Sequence, residues 1–220
     1  RIDNSESEGP KFFNWLDGLL KIPFGVYLPS VCDEIRGNAR RTRAFLNESC
    51  ALLNNVVYGH AEAKHAILQF LGQLVKNPSR DASASILGFE GPPGNGKTTL
   101  CNGLAKALRR PFFSIPLGGA SDASFLNGHS YTYEGSTYGQ IVQTLMKAKS
   151  MSPVIYLDEL DKVSTGYKGD EIVNLLIHLT DTTQNSFQDK YFNVDIDLSG
   201  VTWIFSYNDA SRINPVLLDR

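Results

Sequence analysis

The pattern of apolar and polar positions separates a helical first part of the chain from a later part in which strands and helices alternate. The clearest helical periodicity, at i, i+3, i+4, i+7 and i+8, is the series Ile67, Phe70, Leu71, Leu74 and Val75. Residues 12–20 and 31–55 have similar spacing, and Pro23 ends the first of these segments. We therefore predict three helices, followed by a polar linker at residues 77–81.

From residue 86 onward, short apolar runs alternate with helical segments. Four runs have the length and composition of buried strands, and they cover residues 86–89, 112–115, 153–157 and 201–205. Helical spacing covers residues 100–110, 139–150 and 170–180, and residues 191–196 read as a shorter extended piece. Because strands that alternate with helices pair in parallel and are covered on both faces, we predict an α/β protein with a parallel sheet.

Composition narrows the range of functions. A chain of 220 residues is long enough for a sizeable core and fits one domain with an appendage. Its formal net charge of −2 gives no general reason to expect nucleic acid, so that partner is possible but not indicated. Cys32, Cys50 and Cys101 lack the spacing of a disulfide framework or a zinc site.

The cellular compartment of the protein is inferred from its apolar stretches and its N-terminal residues. No apolar stretch approaches the roughly 20 residues that cross a bilayer, and the polar residues 1–9 do not form a signal peptide. We expect a soluble, cytoplasmic protein without membrane contact, and a mitochondrial or other organellar location stays open.

A phosphate-binding loop is the strongest chemical signal. Its residues are Gly91, Pro92, Pro93, Gly94, Asn95, Gly96, Lys97, Thr98 and Thr99. They fit the pattern G-x-x-x-x-G-K-[ST] and lie between a predicted strand and a predicted helix, as the motif requires. We expect Lys97 to reach the β- and γ-phosphates of ATP and the Thr98 hydroxyl to hold Mg²⁺. The alternative is a glycine-rich turn that binds nothing.

Polar residues also follow two other predicted strands. Asp158 and Glu159 come directly after Leu157, at the kind of strand end where open α/β sheets bind ligands. We expect Asp158 to support Mg²⁺ through its water shell and Glu159 to orient or deprotonate the attacking water. Asn208 has the donor and acceptor needed to contact the γ-phosphate or that water. The alternatives are a charge pair at a helix N-terminus and an ordinary turn residue, respectively.

A series of motifs in a fixed order carries a family resemblance. It comprises residues 91–98, 117–119, 128–133, 156–162, 168–170, 184–187 and 215–220. With them, residues 86–220 resemble the nucleotide-binding core of an AAA+ ATPase, specifically that of the Lon family of ATP-dependent proteases. The resemblance implies a P-loop NTPase fold of three αβα layers around a parallel sheet. It divides the chain into an N-terminal helical segment and linker, residues 1–56, and a nucleotide-binding core, residues 57–220.

The resemblance also implies nucleotide contacts that spacing does not reveal. Tyr58 and Gly59 would line the adenine pocket, and Asn208 would sense the γ-phosphate. Arg220 would be the arginine finger, which acts on the nucleotide of a neighbouring subunit. An arginine finger implies a ring, normally a homo-hexamer.

The same resemblance places two aromatic residues in the pore of that ring. Tyr133 and Tyr167 would grip unfolded polypeptide, for which a flat ring suits many different side chains. The alternative for both is ordinary packing. Glu134 departs from the aliphatic residue that is usual after the pore aromatic, and residues 181–184 lack the usual proline and glutamate.

The expected function is that of an ATP-hydrolysing motor that uses ATP and Mg²⁺ to unfold and translocate proteins for a Lon-type protease. The small helical lid and the serine-lysine peptidase domain of the family would lie beyond Arg220 and are expected to be absent from this sequence. One alternative is a stand-alone remodelling ATPase. Another is a nucleotide-gated assembly module with little turnover, which the presence of Lys97 and Glu159 disfavours.

Overall fold

A four-stranded parallel sheet forms the centre of the protein. The computed structural model describes residues 8–76, 85–120, 122–133, 135–163, 166–181 and 186–219. Its helices are α1 Glu8–Lys21, α2 Val31–Ile35, α3 Ala39–Val56, α4 Ala61–Lys76, α5 Lys97–Ala107, α6 Ser124–Asn127, α7 Gln140–Ala148, α8 Tyr167–Leu179 and α9 Pro215–Leu218. Its strands are β1 Ser85–Glu90, β2 Phe112–Pro116, β3 Val154–Asp158, β4 Ser186–Gln188, β5 Asp195–Asp197 and β6 Thr202–Tyr207. Single 3-10 turns cover Leu160–Lys162 and Ala210–Arg212.

The strand order brings three loops together at one edge of the sheet. The order is β1-β6-β3-β2, and all neighbouring strands are parallel. β6 therefore lies between the strand that leads to the phosphate loop and the strand that ends in Asp158. Because parallel neighbours end at the same edge, the segments that follow β1, β6 and β3 are adjacent. β4 and β5 form a separate antiparallel ribbon.

Helices cover both faces of the sheet. Successive side chains in a strand point to opposite faces. In β3, Val154 and Tyr156 join the core that α3, α4 and α5 complete, whereas Ile155 and Leu157 join the core that includes α7 and α8. All four side chains are buried. The predicted α/β fold, with three layers around a parallel sheet, is confirmed.

The helical first part differs from its prediction in one place. The prediction of a single helix over residues 31–55 is wrong, because the structure has two helices, α2 and α3, with a break at Gly37. Gly37 has φ of +72°, a left-handed conformation that ends α2. The Asn38 side chain then accepts a hydrogen bond from the Arg41 N–H (3.0 Å), which caps the start of α3.

The small ribbon and the predicted domain boundary also differ in detail from the sequence pattern. Strand β5 overlaps the predicted extended piece, residues 191–196, only at residues 195 and 196, and the sequence does not predict its partner β4. Residues of the N-terminal segment enter both cores, since Ile22 lies in one and Phe45 and Leu53 lie in the other. The division at residue 56 stays a prediction.

Within the described ranges, no helix is long and apolar enough to span a membrane.

A buried carboxylate fixes the base of the segment that carries Tyr133. Oδ2 of Asp189 accepts a hydrogen bond from the Gly139 N–H (2.8 Å), and Oδ1 accepts from the N–H groups of Tyr191 (2.9 Å) and Phe192 (3.3 Å). Burial raises the pKa of Asp189, and the three hydrogen bonds oppose that rise because they favour the charged form. We call residues 128–133 and 135–139 the aromatic loop.

Aromatic rings hold this loop against α1 and the turn after Asp189. The rings in contact are those of Trp15, Tyr131, Tyr138, Tyr191 and Phe192, with centroids 5.0 to 6.4 Å apart. Lys11 Nζ also donates a hydrogen bond to the Tyr133 carbonyl (3.1 Å). The Tyr133 side chain itself remains 67% exposed, so the loop presents it to solvent from a fixed base.

Candidate nucleotide-binding site

The phosphate loop reverses direction sharply between β1 and α5. Gly94 and Gly96 have φ of +74° and +89°, in the left-handed region that favours glycine. Gly96 is the N-cap of α5 and offers no side-chain acceptor, so no capping side chain competes with a ligand for the N–H groups of the first turn. An anion bound there would meet those N–H groups and the positive end of the helix dipole.

Lys97 connects this loop with the end of β6. Its Nζ donates hydrogen bonds to the carbonyl oxygens of Gly91 and Pro92 (3.1 Å for Pro92) and to Oδ1 of Asn208 (3.0 Å). The ammonium group is therefore fixed between two of the three segments that meet at this edge of the sheet. A positive charge in that position stabilises phosphate groups held by the loop.

One carboxylate oxygen of Asp158 receives three donors. Oδ1 accepts hydrogen bonds from the Glu159 N–H (3.0 Å), the Tyr156 hydroxyl (3.2 Å) and the Ser206 hydroxyl. Ser206 comes from the neighbouring strand β6, so the carboxylate is oriented by both strands. Thr98 Oγ1 in turn donates to the Tyr156 hydroxyl (3.3 Å). Burial raises the pKa of Tyr156, against the opposing effect of the nearby Ser206 and Thr98 hydroxyl groups, and the phenol stays protonated.

Glu159 has an unusual backbone conformation for its residue type. Its φ is +60°, in the left-handed region, which non-glycine residues adopt at a cost and which is often associated with functional sites. Its carboxylate forms an ion pair with Lys162, and the hydrogen bond from Lys162 raises the pKa of that lysine. The carboxylate also lies against Gly118, where an added Cβ would overlap Oε2 of Glu159.

Asn208 is also held by Asp161. Its backbone N–H donates to Oδ1 of Asp161 (3.1 Å), and its Nδ2 lies 3.5 Å from Oδ2 of the same residue. Asp161 belongs to the 3-10 turn that follows Glu159. Asn208 therefore links the phosphate-loop lysine with the acidic segment.

One cavity brings these groups together. Its volume is about 400 Å³, and its lining residues are Pro93, Gly94, Asn95, Gly96, Lys97, Thr98, Thr99, Tyr156, Asp158, Glu159 and Asn208. The sequence-predicted residues of the loop from residue 93 onward thus share a wall with the acidic pair and with Asn208. Gly91 and Pro92 lie just outside that lining and contribute their carbonyl oxygens to Lys97.

Other predicted site residues lie elsewhere. Tyr58 is fully exposed, and the structure brings neither it nor Gly59 into the cavity lining, so their contact with adenine stays a prediction. Tyr133 and Tyr167 are exposed and away from this lining. Arg220 lies outside the described residues.

The groups present fit a magnesium nucleotide. Hydroxyl and carboxylate oxygens, which Thr98 and Asp158 supply, are the ligands that Mg²⁺ prefers, directly or through water. The Lys97 ammonium group and the N-terminus of α5 are complementary to phosphates. The cavity volume is also within the range of roughly 300 to 1,000 Å³ that is typical of ligand pockets. Thr98 and Asp158 would hold the ion, and Lys97 and the loop would hold the phosphates.

Sequence reasoning missed three residues that shape this site, namely Tyr156, Ser206 and Gly118. Tyr156 precedes Asp158 by two positions in a strand, so both side chains point to the same face. A hydroxyl in an otherwise apolar strand was the signal that could have found it. Nothing in the sequence pattern indicates that Gly118 contacts Glu159, because that contact joins segments about 40 residues apart.

The fold and the cavity define a P-loop nucleotide-binding protein. The model of the ATPase family associated with various cellular activities (AAA) matches residues 87–220, which is more than half of the chain. The Lon protease homolog of Acanthamoeba polyphaga mimivirus is 41% identical over 85% of this chain and 18% of its own length.

Two further relatives match the whole chain. The Lon protease of Campylobacter concisus is 38% identical, over 26% of its own length, and the mitochondrial Lon protease homolog of Homo sapiens is 37% identical, over 21% of its own length. The chain therefore belongs to the AAA family of ATPases and, within it, to the AAA+ modules of Lon. It spans about a fifth to a quarter of the length of the curated relatives it matches.

The close contact of Gly118 with Glu159 yields a testable prediction. In Gly118→Ala the new Cβ would displace the Glu159 carboxylate, and a displacement on the order of 1 Å can reduce turnover about 100-fold. We expect ATP hydrolysis to fall while nucleotide affinity and the midpoint of thermal unfolding stay near those of the parent. Gly72→Ala in α4 is the control, since its Cβ would meet nothing within 4 Å. Hydrolysis by Gly118→Ala at the parental rate would contradict this role of the contact.

Proposed function

We propose that this chain is the ATP-hydrolysing motor module of a Lon-type protease, which unfolds and translocates protein substrates within a homo-hexameric ring. The observation that carries the proposal is the single cavity that joins Lys97 and Thr98 with Asp158, Glu159 and Asn208. A phosphate loop alone would support nucleotide binding. An acidic pair in the same wall supports hydrolysis, because a carboxylate there can act on a water molecule next to the γ-phosphate.

Lys97, Glu159, Asn208 and Arg220 have distinct tasks in this proposal. Lys97 stabilises negative charge on the β- and γ-phosphates, and Glu159 orients the attacking water and accepts its proton. Bound Mg²⁺ would neutralise further charge on the same phosphates. The Asn208 side chain, held by Asp161, contacts the γ-phosphate or the water. Arg220 from a neighbouring subunit stabilises the transferred phosphoryl group, which is why a ring is part of the proposal.

The ion pair between Glu159 and Lys162 is compatible with this task. The side chains of Lys162 and Glu159 are 51% and 35% exposed, and exposed pairs of this kind contribute little to stability. The Glu159 carboxylate can therefore exchange Lys162 for a water molecule at small cost.

Substrate gripping is assigned to Tyr133, with Tyr167 at the start of α8 as a second contact. The assignment of Tyr133 is supported by the exposure of its side chain and by the fixed base of the aromatic loop. An aromatic ring transmits force only if its backbone is anchored. Tyr167 is 81% exposed at the start of α8. Both rings are thus available to contact a polypeptide chain.

An intracellular compartment is part of the proposal. All three cysteines are free thiols, as expected in a reducing environment. Burial raises the pKa of Cys32 to about 11 and also raises that of Cys101, so both thiols are protonated and unreactive at neutral pH.

The catalytic role of Glu159 is tested by Glu159→Gln, which keeps the size of the side chain and removes the proton acceptor. We expect steady-state ATP hydrolysis to fall by about 100-fold or more, with binding of magnesium ATP retained. Lys162→Gln is the matched control, because it also removes the ion pair but leaves the carboxylate in place. Equal hydrolysis by Glu159→Gln and the parent would show that the assignment is wrong, and equal losses in both variants would point to the ion pair instead.

The gripping role of Tyr133 is tested by Tyr133→Ala in the assembled protein. We expect unfolding or degradation of a folded protein substrate to fall much more than basal ATP hydrolysis, because the variant loses a contact with polypeptide and none with nucleotide. Phe24→Ala, which removes an exposed aromatic side chain outside the aromatic loop, is the control. If Tyr133→Ala reduces both activities equally, or neither, Tyr133 does not grip substrate.

A further inference from the structure

A tyrosine hydroxyl lies between the two residues that would hold Mg²⁺. Thr98 Oγ1 donates a hydrogen bond to the Tyr156 hydroxyl (3.3 Å), which donates to Oδ1 of Asp158 (3.2 Å). Thr98 belongs to α5, whereas Tyr156 and Asp158 belong to β3. The phenol therefore provides a hydrogen-bonded link between the phosphate-loop helix and the acidic strand at the cavity wall.

The direction of these hydrogen bonds follows from the chemistry of the groups. An ionised carboxylate can only accept, so Tyr156 must donate its single proton to Asp158. Its oxygen is then an acceptor for the Thr98 proton. A hydroxyl group has one proton and two lone pairs, and the Thr98 hydroxyl donates its proton to the Tyr156 oxygen. Among the residues that the structure describes, no group donates a hydrogen bond to Thr98 Oγ1, so both of its lone pairs remain available to bind a cation.

The same network selects one oxygen of Asp158 for the cation. Within the described parts of the chain, every hydrogen bond to this carboxylate ends on Oδ1, from Tyr156, Ser206 and the Glu159 N–H. Oδ2 is thereby left to act toward a metal ion or its water. Of these three donors, Tyr156 also accepts a hydrogen bond from Thr98 Oγ1.

Packing holds the Tyr156 side chain in place. Its side chain is buried, lines the cavity, and packs against the ring of Phe112 with centroids 5.7 Å apart. The ring sits in the core that α3, α4 and α5 complete. A ring held in this way fixes its hydroxyl without help from a ligand.

We propose that Tyr156 is a positioning residue for Mg²⁺, which sets the proton of Thr98 and the orientation of Asp158 so that both present lone pairs to the ion. The inference rests on the proposed function, because it concerns the metal that accompanies the nucleotide. Loss of the hydroxyl weakens the metal site and leaves the phosphate contacts of Lys97 and the loop in place. The effect is therefore confined to metal-dependent binding.

The test compares nucleotide binding with and without metal. A fluorescent ATP analogue is bound to the parent, to Tyr156→Phe and to Tyr27→Phe, first in EDTA and then with increasing MgCl₂. Tyr27→Phe is the matched control, since it removes a tyrosine hydroxyl that donates to the carboxylate of Asp197 (3.0 Å), away from the cavity. Tyr156→Leu, which lacks the hydroxyl in a different apolar shape, serves as a second variant if the phenylalanine variant does not fold.

Tyr156→Phe is expected to raise the MgCl₂ concentration at half-saturation about tenfold, the lower end of the cost of losing an outer-shell partner. Its affinity for the nucleotide in EDTA and its unfolding midpoint should match those of the parent, and Tyr27→Phe should match the parent throughout. An unchanged magnesium requirement in Tyr156→Phe would overturn the inference, and so would an equal loss of affinity with and without metal. A parent protein that binds no nucleotide, or binds it without any effect of magnesium, would instead overturn the proposed function.

Discussion

The parallel order of β1, β6 and β3 is the constraint on which the rest of the site depends. Each strand is followed by a segment with different chemistry, namely a phosphate loop, an asparagine and an acidic pair. Because parallel neighbours end at the same edge of the sheet, these three segments lie next to each other in space. The sheet thus converts sites that are about 60 and 110 residues apart along the chain into one cavity wall.

Side-chain hydrogen bonds then join the three segments to each other. Lys97 donates a hydrogen bond to Asn208, which in turn donates to Asp161. Thr98 is linked to Asp158 through the Tyr156 hydroxyl. A change at any one of these positions is therefore expected to affect its neighbours, as is usual for connected polar networks at low local dielectric. The network gives the site a defined geometry, which is what catalysis by electrostatic stabilisation requires.

Much of this arrangement could be predicted from the sequence, and the exceptions have physical causes. The motifs around Lys97 and Asp158 are local, so their order and spacing were sufficient to predict the cavity. The break at Gly37 was missed because a single glycine in a helical pattern is compatible with either outcome. The contact between Gly118 and Glu159 and the link through Tyr156 depend on how distant segments pack, which periodicity does not encode. Tyr58 was assigned by resemblance alone, and its full exposure leaves that assignment untested.

We propose that the phosphate loop and the acidic pair hold one magnesium nucleotide between them. A crystal structure of the protein with Mg²⁺ and a non-hydrolysable ATP analogue tests it most directly. We expect the metal about 2.1 Å from Thr98 Oγ1, the β- and γ-phosphates at Lys97, and the γ-phosphate on the side of the cavity that Glu159 lines. A nucleotide bound elsewhere, or one whose γ-phosphate lies beyond the reach of both Lys97 and Glu159, would contradict the account.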